Sequence, residues 1–121
     1  KTITGFLKIQ AMGSPHIRQD LKQITQLVMA RPFPSEKTLD ESLYLLSDSD
    51  LRNEVANIKQ PFLRLYGNND SLVPKAVTNL INTLAPNSEQ YTFLQASHAP
   101  FISHLFDFHH ILKTWLVKNF V

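Results

Sequence analysis

The sequence predicts an α/β fold in which a helical first part precedes a parallel sheet covered by helices. Three observations support this prediction. Apolar residues recur at helical spacing through the first 56 residues. After Pro61, two short apolar strands alternate with two amphipathic helices, a pattern typical of a parallel sheet. The chain has 121 residues, of which 43% are hydrophobic, and this is enough to form one folded domain.

The first part begins with a helix expected over residues 2–12, in which apolar residues fall at three- and four-residue spacing. Gly13 is expected to end this helix, because glycine readily adopts the left-handed conformation found after helix ends. A second helix follows, with Ser14 as its expected cap and Pro15 in its first turn. Its apolar stripe consists of Ile17, Leu21, Ile24 and Val28.

Two more helices complete the helical part. Ser35 is expected to cap a helix that extends to about Leu46, and Asp50 is expected to start a short fourth helix. The predicted boundary divides the chain into residues 1–56 and residues 57–121.

The second part is expected to alternate strands with helices. Strands are predicted at residues 62–66 and 91–95, and helices are predicted to begin at Pro74 and at about Ser103. The last helix is expected to bury five apolar residues, namely Leu105, Phe108, Leu112, Trp115 and Leu116. Two parallel strands do not form a stable sheet in water. We therefore expect an incomplete sheet and a fragment of a longer protein, and an initial lysine in place of methionine favours the same interpretation.

Composition argues against several classes of protein. The chain contains no cysteine, which excludes disulfides and thiolate metal sites. No apolar run approaches the roughly 20 residues that span a bilayer, and no targeting segment is recognisable. Basic residues are not interleaved with aromatic residues in the manner of nucleic-acid-binding proteins. Histidines in the last helix lack a metal-ligand spacing. We expect a cytoplasmic protein without a metal or cofactor.

Asp70 and His98 carry the most specific functional signal. Asp70 follows the first predicted strand, and His98 follows the second. Carboxyl ends of neighbouring parallel strands meet at one edge of a sheet, so the two side chains are expected to come together. An acid that precedes the histidine in sequence is the order of α/β-hydrolase triads. No Gly-x-Ser-x-Gly nucleophile motif is present. Alone, the aspartate would more often form a turn and the histidine would more often be structural.

Two segments resemble a known family. Residues 61–67 (Pro-Phe-Leu-Arg-Leu-Tyr-Gly) and 97–104 (Ser-His-Ala-Pro-Phe-Ile-Ser-His) are similar to the C-terminal part of the pimeloyl-[acyl-carrier protein] methyl ester esterases, the carboxylesterases of biotin synthesis. The resemblance implies the C-terminal part of an α/β-hydrolase fold, with residues 1–56 as a helical lid and its return to the core. It implies that Asp70 is the triad acid and His98 the general base. The nucleophilic serine would then be missing from this chain, which alone would be inactive.

The resemblance also implies binding residues. Phe6 and Leu72 match positions that would line a pocket for the pimeloyl chain, although both also fit plain core packing. Lys1, Arg18 and Lys22 match basic lid positions where an acidic acyl carrier protein would dock. The first 40 residues hold six basic and three acidic side chains, which could attract an acidic partner or simply form a solvated helix surface.

The predicted function is hydrolysis of the methyl ester of pimeloyl-acyl carrier protein. Two alternatives remain open, namely an esterase of the same fold that acts on another small acyl ester, and a non-catalytic helical module that binds an acidic partner. The predicted partners are the ester-loaded carrier protein, the N-terminal half of the same enzyme, and a second copy of the chain joined through the open sheet edge. No nucleic acid or membrane partner is expected.

Overall fold

The computed structural model describes residues 2–121. Within these residues, no helix is long and apolar enough to cross a bilayer. The elements follow one another in the order α1 (Thr2–Ala11), α2 (Ile17–Met29), α3 (Glu36–Asp48), α4 (Arg52–Ala56), β1 (Leu63–Gly67), α5 (Lys75–Leu84), β2 (Glu89–Phe93), α6 (Pro100–Ser103) and α7 (Leu105–Phe120).

The sheet consists of β1 and β2, which run parallel and are connected by α5. Leu63 pairs with Glu89 at one end, and Gly67 pairs with Phe93 at the other. Both strands therefore end at the same edge of the sheet. The second strand begins two residues earlier than predicted, because the polar residues Glu89 and Gln90 also join the ladder on an exposed face.

Capping explains where the helices of the first part begin. The Ser35 hydroxyl accepts the N–H of Thr38 at 3.2 Å, which confirms it as the cap of α3. The prediction that Ser14 caps α2 is wrong, because His16 occupies the cap position. The hydroxyl of Ser14 instead donates to Asp20 Oδ2 at 2.5 Å and accepts the N–H of His16 at 3.1 Å.

The C-terminal helix is divided into α6 and α7 at His104. The ring of Phe108 stacks on that of Phe93, with 5.9 Å between centroids, and this contact holds α7 against β2. Leu105 is 60% exposed and Leu116 is 43% exposed, so the prediction that they face inward is wrong. Among residues 2–121, no other element covers these two side chains.

The main core joins the two predicted units. Buried residues Leu7, Ala11, Ile24 and Ala99 form one cluster that brings α1 and α2 against the segment around α6. Val28, the last residue of the predicted α2 stripe, is 38% exposed and lies outside this cluster. Helix α3 has no buried residue, and its four consecutive apolar residues are exposed: Leu43, Tyr44, Leu45 and Leu46.

Candidate catalytic dyad

The turn after β1 fixes the carboxylate of Asp70. Oδ1 accepts the backbone N–H groups of Leu72 at 2.8 Å and Val73 at 3.1 Å. The backbone N–H of Asp70 donates to the carbonyl of Gly67 at 3.2 Å, which closes the turn. The side chain of Asp70 is only 6% exposed. These contacts occupy one carboxylate oxygen and leave Oδ2 to face the loop that follows β2.

His98 completes the pair. Its Nδ1 lies 2.9 Å from Asp70 Oδ2. An ionised carboxylate only accepts hydrogen bonds, so Nδ1 carries the proton and the neutral ring presents a lone pair at Nε2. The side chain is 36% exposed, and no group among residues 2–121 hydrogen-bonds Nε2. An imidazole held in this tautomer can take a proton from a nucleophile.

Backbone contacts hold the two loops together. The N–H of Asn68 donates to the carbonyl of Phe93 at 2.9 Å, and the N–H of Asn69 donates to the carbonyl of Ala96 at 2.9 Å. A Cβ atom on Gly67 would lie 1.8 Å from the carbonyl oxygen of Ser97, so only glycine permits this approach. Sequence reasoning assigned no role to Gly67 and missed this function. Its position directly before the Asp70 turn was the available signal.

Ser97 directly precedes His98 in sequence but is not placed as a nucleophile. It is 2% exposed, and its hydroxyl lies 2.7 Å from the carbonyl oxygens of Gln10 and Met12. Its buried Oγ is therefore engaged by the end of α1. Sequence reasoning also missed this contact, because nothing in the sequence links Ser97 to residues 85 to 87 positions away.

Comparisons with known proteins bear on this geometry. No family model matches the chain. Three curated proteins named "Pimeloyl-[acyl-carrier protein] methyl ester esterase" are similar to it. The one from Photobacterium profundum is 49% identical over 115 residues, which is 95% of this chain and 45% of that protein. The one from Aliivibrio fischeri is 45% identical over 118 residues, which is 98% of this chain and 46% of that protein. The one from Vibrio atlanticus is 49% identical over 102 residues, which is 84% of this chain and 40% of that protein.

The resemblance to the esterase family is confirmed. The chain spans about 45% of the length of the curated relatives that it matches. A solved structure agrees on the fold, namely that of an α/β hydrolase enzyme from the metagenome of lagoon sediments at Mar Chica, Morocco. Its TM-score is 0.60 at 20% identity, and the match covers 88% of this chain and 48% of that one. The predicted fold, part of an α/β-hydrolase, is therefore confirmed as well.

The residues predicted to bind the acyl chain of an esterase substrate are not gathered at one place. Leu72 lies in the Asp70 turn and is 39% exposed, whereas Phe6 lies on α1 and is 51% exposed. Neither is a core residue. A cavity of about 370 Å³ adjoins Asp70, but neither of them lines it; its walls include Tyr66, Val73, Lys75, Thr78 and Leu94. A larger cavity, of about 460 Å³, adjoins the residues that precede the strands and is remote from the dyad.

The residues predicted to bind a carrier protein lie on α2 where the structure describes them. Arg18 and Lys22 are exposed and one helical turn apart, and Lys8 of α1 is exposed too. Asp20 is the only acidic residue of these two helices, and it is 5% exposed and bonded to Ser14. The exposed charge of α1 and α2 is therefore positive. Lys1 lies outside the described residues.

No metal-binding arrangement accompanies the dyad in the part of the chain that the structure describes. Residues 2–121 contain no group of three or more His, Cys, Asp or Glu side chains that could hold a metal ion. The Nδ1 of His104 instead lies 2.7 Å from the hydroxyl of Ser103.

Proposed function

We propose that this chain supplies the acid and the base of a serine carboxylesterase that cleaves the methyl ester of pimeloyl-acyl carrier protein. The 2.9 Å contact between His98 Nδ1 and Asp70 Oδ2, at the ends of two adjacent parallel strands, carries the proposal. The names of relatives 44–49% identical to the chain support the choice of substrate. In this proposal, residues 1–56 form a lid with its return to the core, and residues 57–121 belong to the catalytic core.

The proposed mechanism divides the reaction between this chain and sequence outside it. A serine outside the 121 residues attacks the ester carbonyl, and Nε2 of His98 accepts its proton. The imidazolium then donates that proton to the departing methoxide, which leaves as methanol. His98 then takes a proton from water, whose hydroxide attacks the acyl carbonyl, and the imidazolium returns the proton to the serine oxygen as the free acid leaves. Asp70 holds the tautomer and stabilises the imidazolium in both steps. Backbone N–H groups outside the chain would bind the oxyanion.

The chain would provide two kinds of contact in this proposal, from the lid and from Leu72 in the Asp70 turn. Phe6 and Leu72 are exposed apolar side chains, available to line an acyl pocket once the rest of the enzyme encloses it. Lys1, Arg18 and Lys22 would dock the acidic carrier protein, and the absence of an exposed acidic side chain on the described part of α1 and α2 favours this role.

Activity of the complete gene product tests the catalytic assignment. Asp70→Asn keeps the shape of the acid but reverses the hydrogen bond that sets the tautomer, and should lower kcat by about 10⁴-fold. His98→Gln should lower kcat by a similar factor. His109→Gln is the matched control, because His109 is exposed on α7, and it should retain wild-type activity. Retention of more than about a tenth of the activity by His98→Gln would contradict the proposal.

The choice of substrate needs a separate comparison. The double variant Arg18→Glu, Lys22→Glu should raise KM for the carrier-bound ester by about tenfold and leave hydrolysis of free methyl pimelate unchanged, because only the carrier meets the lid charges. The double variant Lys59→Glu, Lys113→Glu, at two exposed positions outside α1 and α2, is the charge-matched control. An equal effect of the double variant on both esters would favour an esterase for another small acyl compound.

A binding module without catalysis is the second candidate, because the described surface of α1 and α2 carries only positive charge. Size-exclusion chromatography of the isolated 121-residue chain discriminates between the two. A self-contained module should be monomeric, whereas part of a hydrolase should dimerise or exchange strands through the free edge of its two-stranded sheet.

A further inference from the structure

The residues that immediately precede the acid and the base both bind the same helix end. Asn69, before Asp70, donates its side-chain N–H to the carbonyl of Gly13 at 3.0 Å. Ser97, before His98, places its hydroxyl 2.7 Å from the carbonyls of Gln10 and Met12. Residues 10–13 at the end of α1 therefore contact both loops of the dyad.

These contacts fit the chemistry of a helix end. The last carbonyls of a helix lack partners within the helix and accept hydrogen bonds from outside it. Ser97 has a single hydroxyl proton, so it can serve either of the two carbonyls that it approaches. Its near-complete burial shields this contact from bulk water.

Gly13 makes the contact with the acid loop possible. Its φ of +98° is in the left-handed region, and a Cβ atom there would lie 2.6 Å from the carbonyl oxygen of Asn69. The turn after α1 can thus approach the backbone beside Asp70 closely. A displacement of this turn would therefore move Asn69 and Ser97, the residues next to Asp70 and His98, together.

We propose that Ser97 and Asn69 are positioning residues. Their hydrogen bonds to the end of α1 hold the loops of His98 and Asp70 in a fixed position relative to each other. This inference rests on the proposed roles of Asp70 and His98. Loss of the hydrogen bonds of either positioning residue lets one loop shift relative to the other. This shift lengthens the hydrogen bond between His98 Nδ1 and Asp70 Oδ2. The reaction is sensitive to such shifts, since a displacement of about 1 Å can lower a rate about a hundredfold.

Nitrogen NMR of the imidazole of His98 tests the inference without any need for activity. The variants are Ser97→Ala, which removes the hydroxyl, and Asn69→Asp, which replaces the donor with an acceptor. At a pH of about 8.5, above the usual range of histidine titration, the wild-type ring should carry its proton mainly on Nδ1. Both variants should shift the ring toward the Nε2-protonated form that free histidine prefers. Ser71→Ala, an exposed serine on the other side of Asp70, should not.

Kinetics of the complete gene product provide the second readout. Ser97→Ala and Asn69→Asp should lower kcat by roughly ten- to a hundredfold and change KM by less than about twofold, because the positioning residues orient the base and do not touch the substrate. Ser71→Ala should match the wild type in both parameters.

Three outcomes would overturn the inference. The first is a wild-type ring that is not protonated mainly on Nδ1. The second is that Ser97→Ala and Asn69→Asp lower the urea midpoint but keep the wild-type tautomer and the wild-type kcat. The two residues would then be merely structural. The third is an unchanged tautomer in Asn69→Asp if Ser97→Ala does not fold, because Asn69 is exposed and its replacement should be tolerated. If the complete protein lacks esterase activity while the tautomer still depends on both residues, the proposed function fails and the positioning role stands.

Discussion

Gly67→Ala tests whether the loops that carry Asp70 and His98 must touch backbone to backbone. The new Cβ atom would lie 1.8 Å from the carbonyl oxygen of Ser97 and 2.6 Å from that of Ala96. Ordinary contact begins at 3.4 Å, so the His98 loop must retreat by about 1.6 Å. This retreat breaks the two backbone hydrogen bonds between the loops, at about 1 kcal/mol each, and the residual overpacking costs about 2 kcal/mol more. We expect the free energy of unfolding to fall by about 4 kcal/mol.

Equilibrium urea denaturation followed by circular dichroism measures this loss. With a slope of about 2 kcal/mol per molar urea, the midpoint should fall by roughly 2 M. Gly5→Ala is the matched control, because no atom lies within 4 Å of its Cβ position apart from its two chain neighbours and the backbone of α1. Alanine also favours a helix, so this variant should gain about 0.5–1 kcal/mol. A Gly67→Ala variant within about 0.5 kcal/mol of the wild type would refute the close approach.

Three further predictions concern stability. The hydrogen bond from Lys118 lowers the pKa of Glu89, so this group contributes stability above its unfolded pKa of about 4.3 and loses it as the pH falls through the lower folded value. The Tm difference between wild type and Glu89→Gln should accordingly shrink below about pH 4, and a constant difference would contradict the linkage. Arg64 is 6% exposed and donates to Ser88 Oγ, Tyr66 OH and Asn82 Oδ1. Arg64→Leu leaves these three acceptors without a donor, so it should lower the free energy of unfolding, measured by urea titration, by about 2–3 kcal/mol. An unchanged free energy would show that water replaces the guanidinium. Ser35→Ala removes the cap of α3 and should cost about 1 kcal/mol, whereas Ser49→Ala, at the other end of the same helix, should cost little; equal losses would refute the capping argument.

The dyad could be predicted from sequence because it depends on short-range rules. Each of Asp70 and His98 lies a few residues beyond a strand, and parallel strands end at one edge. A two-residue error in the second strand did not disturb this conclusion, since the loop that carries His98 leaves the sheet at the same edge. The cap at Ser35 was predictable for the same reason, because the serine and Thr38 are neighbours in sequence.

Predictions of burial and of side-chain partners were less successful, because they depend on which other elements pack against a residue. Helical spacing identified the apolar stripe of α7, but burial also requires an element that packs on each residue, and Leu105 and Leu116 stay exposed. Ser14 had the right residue type for a cap, yet its hydroxyl binds the buried carboxylate of Asp20. Local preference was overridden there by the need to give a buried carboxylate a donor.

Apart from the short helix α6, the sequence alone determined the order of the elements, the sheet edge where Asp70 and His98 meet, and the resemblance to an esterase family. These features follow from hydrophobic periodicity and from motifs a few residues long. Only the tertiary structure decided how the pair is held. Gly67, Asn69 and Ser97 act on partners that lie 29 to 87 positions away along the chain, through atoms that approach one another only after the helices pack. Such contacts leave no local pattern, because their geometry depends on the whole fold.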